Sequence, residues 1–230
     1  IYENISYFAI ESSSDMAVEK ETYESYTGSL WSKGTFPIDT WKEVMKLRGN
    51  SDEVNLRKNW DKLKKKVAKQ GMRNSNTMAI APTATISYIA GCSQSIEPNF
   101  GVIFVYSTLS GEFTMMNEYF VNDMKAEGIW TKELANLVKT VDGDLGKLNG
   151  SIPQWIKEKY VTAFQQDQFK LIDCAAARQK WIDQGQSLNL YNDKSSMKFL
   201  NDIYTHAWKS GLKTTYYLRN LAASAVEKST

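Results

Sequence analysis

Ser187-Leu188-Asn189-Leu190-Tyr191 reads as a strand, Met197, Leu200, Ile203, Tyr204, Ala207 and Trp208 then recur at helical spacing, and Thr214-Thr215-Tyr216-Tyr217-Leu218 sets β-branched and aromatic residues in a row. The apolar positions mark one helix face, and Gly211 is placed to close that helix in the left-handed conformation. Strand, helix and strand follow one another within about thirty residues, the length of a βαβ unit in which a right-handed crossover joins parallel strands.

Toward the N-terminus, Thr77–Ala81 is short and apolar, bounded by Asn76 and Pro82, and predicts a buried strand that empties into a loop of small residues. Asn59 can cap a helix through Trp60, Leu63 and Val67 that ends at Gly71. A strand is expected at Val102–Tyr106 and helices near Glu118–Ala126 and Thr131–Lys139. Gly28, Gly34 and Pro37 punctuate a connection whose Trp31 and Phe36 should lie against a core, so no domain boundary is placed there. The chain opens on Ile1, and Ile1, Ile5, Phe8, Ala9 and Met16 recur at helical spacing with no capping residue before them. A chain that starts inside a helix is expected to have been cut from a longer one. Helices outnumber strands, and the fold class is α/β, with helices covering a parallel sheet or barrel.

The 230 residues are 42% hydrophobic and 23% charged, with 7 Trp and 12 Tyr, a globular composition and not a disordered one. A net charge of +2 from 28 basic and 26 acidic residues gives no electrostatic reason to expect a nucleic-acid polymer. Lys62, Lys64, Lys65, Lys66 and Lys69 read as a solvated helix face. Cys92 and Cys174 are far apart and His206 is the one histidine, so neither a disulfide framework nor a metal site is supported. His206 reads as a surface or structural residue with Asp202 one turn before it, within reach of a helix-surface pair. No apolar run reaches the roughly eighteen residues that span a bilayer, so a soluble, cytoplasmic chain is expected.

Two places could carry chemistry. Pro82-Thr83-Ala84-Thr85-Ile86-Ser87 follows a strand signal with small residues whose amides and hydroxyls can approach an anion; ordinary turns use the same residues. Tyr216 and Tyr217 need mean only that both faces of a strand are covered, and two adjacent phenols could also pass an electron and a proton in succession. Cys92 lies in Gly91-Cys92-Ser93-Gln94-Ser95-Ile96-Glu97-Pro98, where Pro98 holds Glu97 extended, and reads as a buried structural thiol.

Met78-Ala79-Ile80-Ala81-Pro82-Thr83-Ala84-Thr85-Ile86-Ser87, then Gly91-Cys92, then Ile96-Glu97-Pro98, strongly resembles the large subunit of ribonucleotide reductases, and Lys213-Thr214-Thr215-Tyr216-Tyr217-Leu218-Arg219 does so too. Phe36–Thr40, Gly71–Ser75, Ser110–Thr114 and Ala177–Gln184 match in the same order, so the resemblance covers nearly the whole chain. It implies that residues 1–230 form the C-terminal portion of a ten-stranded α/β barrel, helix-rich and not an autonomous full barrel. It implies that Pro82, Thr83, Ala84, Thr85, Ile86 and Ser87 bind the phosphates of a ribonucleoside diphosphate, with Thr83 to Ile86 foremost. Many relatives place glutamate or glycine at Ala84, which matters little if its amide does the binding. Tyr216 and Tyr217 match a stacked pair that completes radical transfer, Tyr217 receiving the oxidising equivalent and Tyr216 passing it to a cysteine.

That pair favours the two-subunit class I enzymes over the cobalamin-dependent class II, which remains an alternative, as does a noncatalytic scaffold fragment. By the same resemblance this chain binds no cofactor or metal itself, and a radical cofactor with its metal centre is expected in a small (beta) subunit. No finger-loop Asn-x-Cys-x-Glu motif and no redox cysteine pair occur, and a cysteine-bearing tail would follow Thr230. The chain should therefore need the N-terminal piece of the catalytic subunit, through a largely hydrophobic interface, and thioredoxin or glutaredoxin as reductant. A subunit encoded in separate pieces and a cleaved or truncated fragment both fit.

Overall fold

The computed structural model describes residues 1–50, 53–109, 111–148, 150, 152–192 and 196–220; Ser110, in one of the matched stretches, lies outside them. The order of elements is α1 (Tyr2–Lys20), α2 (Pro37–Leu47), α3 (Trp60–Gln70), α4 (Ile86–Ala90), β1 (Ile103–Thr108), β2 (Gly111–Met116), α5 (Glu118–Ala126), α6 (Lys132–Thr140), α7 (Gln154–Lys159), α8 (Gln168–Gln179), β3 (Leu190–Asn192), α9 (Met197–Lys209) and β4 (Leu218–Asn220). The chain forms two compact units, one built from Ile1–Pro82, Gln168–Leu190 and Lys194–Leu218, the other mainly from Thr83–Asp167.

In the first unit, α3 runs as its sequence implies: the Asn59 side chain accepts the Lys62 amide at 3.0 Å, and Gly71 leaves the helix at φ +80°. α2 begins at Pro37, where a missing amide proton is harmless, and the Asp39 carboxylate accepts the Phe36 amide at 2.9 Å. Trp31, Phe36, Trp41, Trp60 and Trp181 are all buried, with Trp60 and Trp181 stacked at 5.8 Å, so the aromatic connection after α1 does lie against a core. Each large side chain removed from water in this way contributes about 1.5–3 kcal/mol.

α1 starts at the beginning of the chain without a side-chain cap, but its buried face is not the expected one. Ile1, Ile5, Phe8 and Met16 are exposed, and Glu3, Ser6, Tyr7, Ile10, Ser13, Ser14 and Ala17 face inward. The inward polar groups are satisfied across the helix pair: Ser14 Oγ donates to Gln70 Oε1 at 3.1 Å, and Ser13 Oγ donates to Asn74 Oδ1 and accepts the Asn74 amide, both at 3.0 Å. Small, hydrogen-bonded serines let α1 lie against α3, so polar satisfaction overrides the apolar stripe.

The parallel element survives in reduced form. Ile80 makes a parallel bridge to Gln186, its amide donating to the Gly185 carbonyl at 3.2 Å and its carbonyl accepting the Ser187 amide at 2.8 Å. Further along, the Tyr216 amide donates to the Leu188 carbonyl at 2.7 Å and the Leu190 amide to the Tyr217 carbonyl at 2.9 Å, partners that advance in the same direction. The expected strand at Thr77–Ala81 is thus one bridge, and those at Ser187–Tyr191 and Thr214–Leu218 become Leu190–Asn192 and Leu218–Asn220. The Tyr217 amide goes to the Asn189 side chain at 3.3 Å, not to a ladder carbonyl, which interrupts regular pairing before Leu218. On α9 only Ile203 and Ala207 of the expected stripe are buried, while Met197, Tyr204 and Trp208 are exposed. Among the described residues the strands form two-stranded pairs, β1 with β2 and β3 with β4, in a helix-rich α/β fold without a closed barrel.

The second unit pairs β1 and β2 antiparallel from Ile103↔Met116 to Thr108↔Gly111. Asn117 caps α5 and Thr131 caps α6, each accepting an amide three residues on at 3.1 Å. Phe120, Met124, Val138 and Ile156 are completely buried at the centre of its core. α5 and α6 coincide with the expected helices to within a residue.

Candidate functional site

Tyr216 and Tyr217 are adjacent in sequence, and in a regular strand their side chains would point to opposite faces. They do not, because residues 213–217 precede β4. The ring centroids lie 4.1 Å apart at 52°, and Tyr216 Oη donates to Tyr217 Oη at 3.3 Å. The rings are tilted rather than stacked in parallel. Both are about half exposed, at 46% and 52%, so the phenols are reachable from outside the first unit. Backbone hydrogen bonds to Leu188 and Leu190 and the Asn189 side chain hold the pair from behind.

The segment leading into this pair is tied to a single turn. Lys213 Nζ donates to the carbonyls of Ile182, Asp183 and Gln184 at 3.3, 2.5 and 3.2 Å. Desolvation pushes the Lys213 pKa below the ordinary lysine range, with the Asp183 charge acting in the opposite direction. The Asp183 carboxylate faces the other way and accepts the amides of Thr77 and Met78 at 2.6 and 2.8 Å, and more weakly the Thr77 hydroxyl at 3.4 Å. The Gln184 amide closes the arrangement by donating to the Met78 carbonyl at 3.1 Å.

Five residues after Thr77 the chain reaches Pro82 and the loop. Thr83 takes a left-handed backbone, φ +52°, which turns the chain sharply into α4. Its hydroxyl accepts the Ser95 amide at 2.9 Å and its carbonyl accepts the Ser87 amide at 3.1 Å. Ala84, Thr85 and Ile86 are exposed. Their amides donate to no other described residue, as befits the first turn of a helix. Ser87 is 2% exposed, and its hydroxyl has no hydrogen-bond partner among the described residues. The loop therefore offers unused amides and one unused buried hydroxyl.

Other residues singled out by sequence fall differently. Cys92 and Cys174 are free and exposed, not buried, since Cys92 sits in the open turn after α4 and Cys174 on the outer side of α8. His206 Nε2 pairs with Asp173 Oδ1 of α8 at 2.6 Å, not with Asp202, because α8 and α9 pack side by side. Two of the α3 lysines are engaged within the unit, Lys64 with Asp39 at 2.6 Å and Lys66 with Asp15 at 2.7 Å. Among the described residues no group of three or more His, Cys, Asp or Glu could hold a metal ion, and no helix is long and apolar enough to cross a membrane.

Sequence reasoning missed the Lys213–Asp183 turn, and it also missed Glu97, whose carboxylate accepts the Tyr191 hydroxyl at 2.8 Å. Tyr191 is 3% exposed and edge-packed by Phe100 and Phe164 at 5.4 and 5.3 Å. The one signal available was Pro98, which fixes Glu97 as extended but names no partner 94 residues away.

The family model described as ribonucleotide reductase, barrel domain, matches residues 1–218. The ribonucleoside-diphosphate reductase subunit alpha of Chlamydia muridarum is 46% identical over 99% of this chain, which corresponds to 22% of that protein. The ribonucleoside-diphosphate reductase large subunits of Caenorhabditis elegans and Trypanosoma brucei brucei are 38% and 37% identical over 97% and 100% of this chain, or 27% and 28% of theirs. The chain thus spans about a quarter of the length of these curated relatives. With nearly its whole length matched, this chain belongs to the ribonucleotide reductase barrel-domain family.

Proposed function

We propose that this chain is the C-terminal part of the ten-stranded barrel in the catalytic subunit of a class I ribonucleoside-diphosphate reductase. In this reading it supplies the substrate's phosphate loop and the last two phenols of the radical path. The observation that carries the proposal is the contact of the two half-exposed phenols, Oη to Oη at 3.3 Å, on a segment braced from behind. Hydrogen-atom transfer requires donor and acceptor oxygens at about hydrogen-bond distance, roughly 2.5–3.0 Å between oxygens, and at 3.3 Å the phenols need to close by a few tenths of an ångström.

The steps extend that contact with what the resemblance to the reductases implies. A radical cofactor in the small subunit supplies the oxidising equivalent. Tyr217 gives up an electron toward that subunit and releases its phenolic proton; Tyr216 then passes a hydrogen atom across the Oη–Oη contact and restores the Tyr217 phenol. Tyr216 next takes a hydrogen atom from the thiol of the catalytic cysteine, carried by the rest of the large subunit, and the resulting thiyl takes hydrogen from the ribose. The 2′-hydroxyl leaves as water on a proton from a cysteine pair. That pair supplies the second proton and two electrons to the ribose and becomes a disulfide; the catalytic thiol returns its hydrogen atom to the ribose and is a thiyl again, and thioredoxin or glutaredoxin reduces the disulfide. Meanwhile the exposed amides of Ala84, Thr85 and Ile86 and the hydroxyls of Thr85 and Ser87 hold the diphosphate. The apolar stripe of Ile1, Ile5, Phe8 and Met16 is the surface that the remaining large-subunit polypeptide covers.

Reduction of CDP by this chain mixed with the cysteine-bearing remainder of the large subunit and the small subunit tests the proposal, each component being omitted in turn. Turnover only in the complete mixture is expected. Turnover without the small subunit would move the assignment to the cobalamin-dependent class, and CDP binding with no turnover would move it to a noncatalytic scaffold.

A further inference from the structure

The turn Ile182-Asp183-Gln184 is held from two sides by groups that the chemistry above does not use. On one side the Lys213 ammonium makes three hydrogen bonds to its carbonyls; on the other the Asp183 carboxylate takes two consecutive amides, Thr77 and Met78. Lys213 is three residues before Tyr216, and Met78 is four residues before Pro82. Both ends of the brace therefore lie just upstream of a functional segment. All of these groups belong to the first unit, so the brace is internal to one compact body.

Three features argue against an incidental contact. A lysine normally extends into water, because its ammonium is strongly hydrated; here it exchanges part of that hydration for three consecutive backbone carbonyls of one turn, the last of which also accepts the Gln179 side-chain amide at 3.0 Å. The Asp183 carboxylate spends both oxygens on backbone amides that a regular strand would have paired with ladder carbonyls. And residues 213–217, which carry the phenols, precede β4, so the Lys213 triad holds them together with the bonds of Tyr216 to Leu188, Leu190 to Tyr217 and Tyr217 to Asn189. Of these, the Lys213 triad alone is charge-assisted, and such bonds are roughly twice as strong as neutral ones.

We infer that Lys213 is a positioning residue that sets the register of the Tyr216–Tyr217 phenols by gripping the turn that Asp183 anchors to Thr77 and Met78. The inference rests on the proposed radical relay, and it adds that this turn fixes the relay's register. A displacement of about an ångström at reacting groups is enough to lower a rate by up to two orders of magnitude. Removing the Lys213 ammonium therefore acts on the chemical step and not on substrate capture.

Steady-state CDP reduction by the complete enzyme, together with CDP binding measured by equilibrium dialysis, tests the separation. Lys213→Met, which keeps the apolar stem, should lower kcat on the order of tenfold or more with KM and Kd within about twofold, and Lys213→Arg, which restores donors, should recover most of the loss. Should Lys213→Met not fold, Lys213→Gln, with one neutral donor, carries the same comparison. Asp183→Asn, which turns an acceptor into a donor facing a backbone amide and so loosens the turn that Lys213 grips, should lower kcat in the same direction with KM and Kd within about twofold. Lys213→Met with an unchanged kcat, or an arginine variant no better than the methionine one, would reduce the turn to a plain contributor to stability and overturn the inference. Tyr216→Phe is run alongside: a variant that turns over normally would overturn the relay itself, whereas its loss beside a fully active Lys213→Met would overturn the brace alone.

Discussion

Glu3 offers a quantitative test of how the first unit is held together. Its side chain is 8% exposed, and a single carboxylate oxygen, Oε1, accepts the amides of Arg57 and Lys58 at 2.8 and 3.0 Å and Trp60 Nε1 at 3.1 Å. Burial by itself raises the Glu3 pKa, but the bond from Trp60 and those from the two backbone amides outweigh it, and the net displacement is below the ordinary glutamate value. Glu3→Ala strands the buried indole donor, at about 1–3 kcal/mol, and leaves two backbone amides that water can partly satisfy, at about 0.5–1 kcal/mol each, for a total near 3 kcal/mol. Glu3→Gln keeps an acceptor but not the charge, and about half that loss is expected. Because the folded pKa is depressed, this stabilisation is fully present above the unfolded value near 4.5 and is lost as pH falls through the lower folded value. Urea unfolding of the full protein, followed by near-ultraviolet circular dichroism at pH 7 and at steps toward pH 3, measures both quantities. A Glu3→Ala loss under about 0.5 kcal/mol at pH 7 would refute the bookkeeping of donors, and a Glu3→Gln difference that does not shrink toward acid pH would refute the role of charge.

Further expectations concern single positions. Gly211 ends α9 at φ +85°, and a Cβ there would meet Met45 Sδ at 2.7 Å and Trp41 Nε1 at 2.9 Å. Gly211→Ala combines backbone strain with a clash in a packed aromatic corner and should destabilise by about 2 kcal/mol or more in thermal unfolding, whereas an unchanged midpoint would contradict the packing described. Ser87→Ala should leave unfolding free energy within about 0.5 kcal/mol, since no protein group among the described residues bonds the hydroxyl, yet weaken CDP binding. Clear destabilisation with normal binding would show that the hydroxyl serves the fold and not the substrate. Thr83→Ala removes the acceptor for the Ser95 amide and should likewise weaken CDP binding, by equilibrium dialysis, more than it slows turnover at saturating CDP.

What the sequence disclosed was local. Asn59, Gly71 and Gly211 mark helix ends through side-chain or backbone chemistry within a few residues of themselves, and the helices they bound are where that chemistry places them. α1 shows where locality fails: an apolar stripe at helical spacing points outward because two serines and a glutamate find partners between 54 and 61 residues away. Tertiary partners likewise redirect His206 to Asp173 and leave Met197, Tyr204 and Trp208 uncovered on α9. The candidate site divides along the same line. The small residues of the 82–87 loop and the two tyrosines announce themselves by type, but periodicity would send the phenols to opposite faces. Their meeting depends on the loss of strand geometry before Leu218, set by the Asn189 side chain and by Lys213 on a turn some thirty residues earlier, which no pattern in the sequence exposes.

The most direct test of the account is CDP turnover by the assembled reductase with Tyr216→Phe and, separately, Tyr217→Phe, each scored beside CDP binding. Phenylalanine keeps the ring packing at 4.1 Å and removes only the oxygen through which hydrogen would pass. The account predicts wild-type binding and a loss of turnover to background for both variants; turnover near the wild-type rate in either would contradict it.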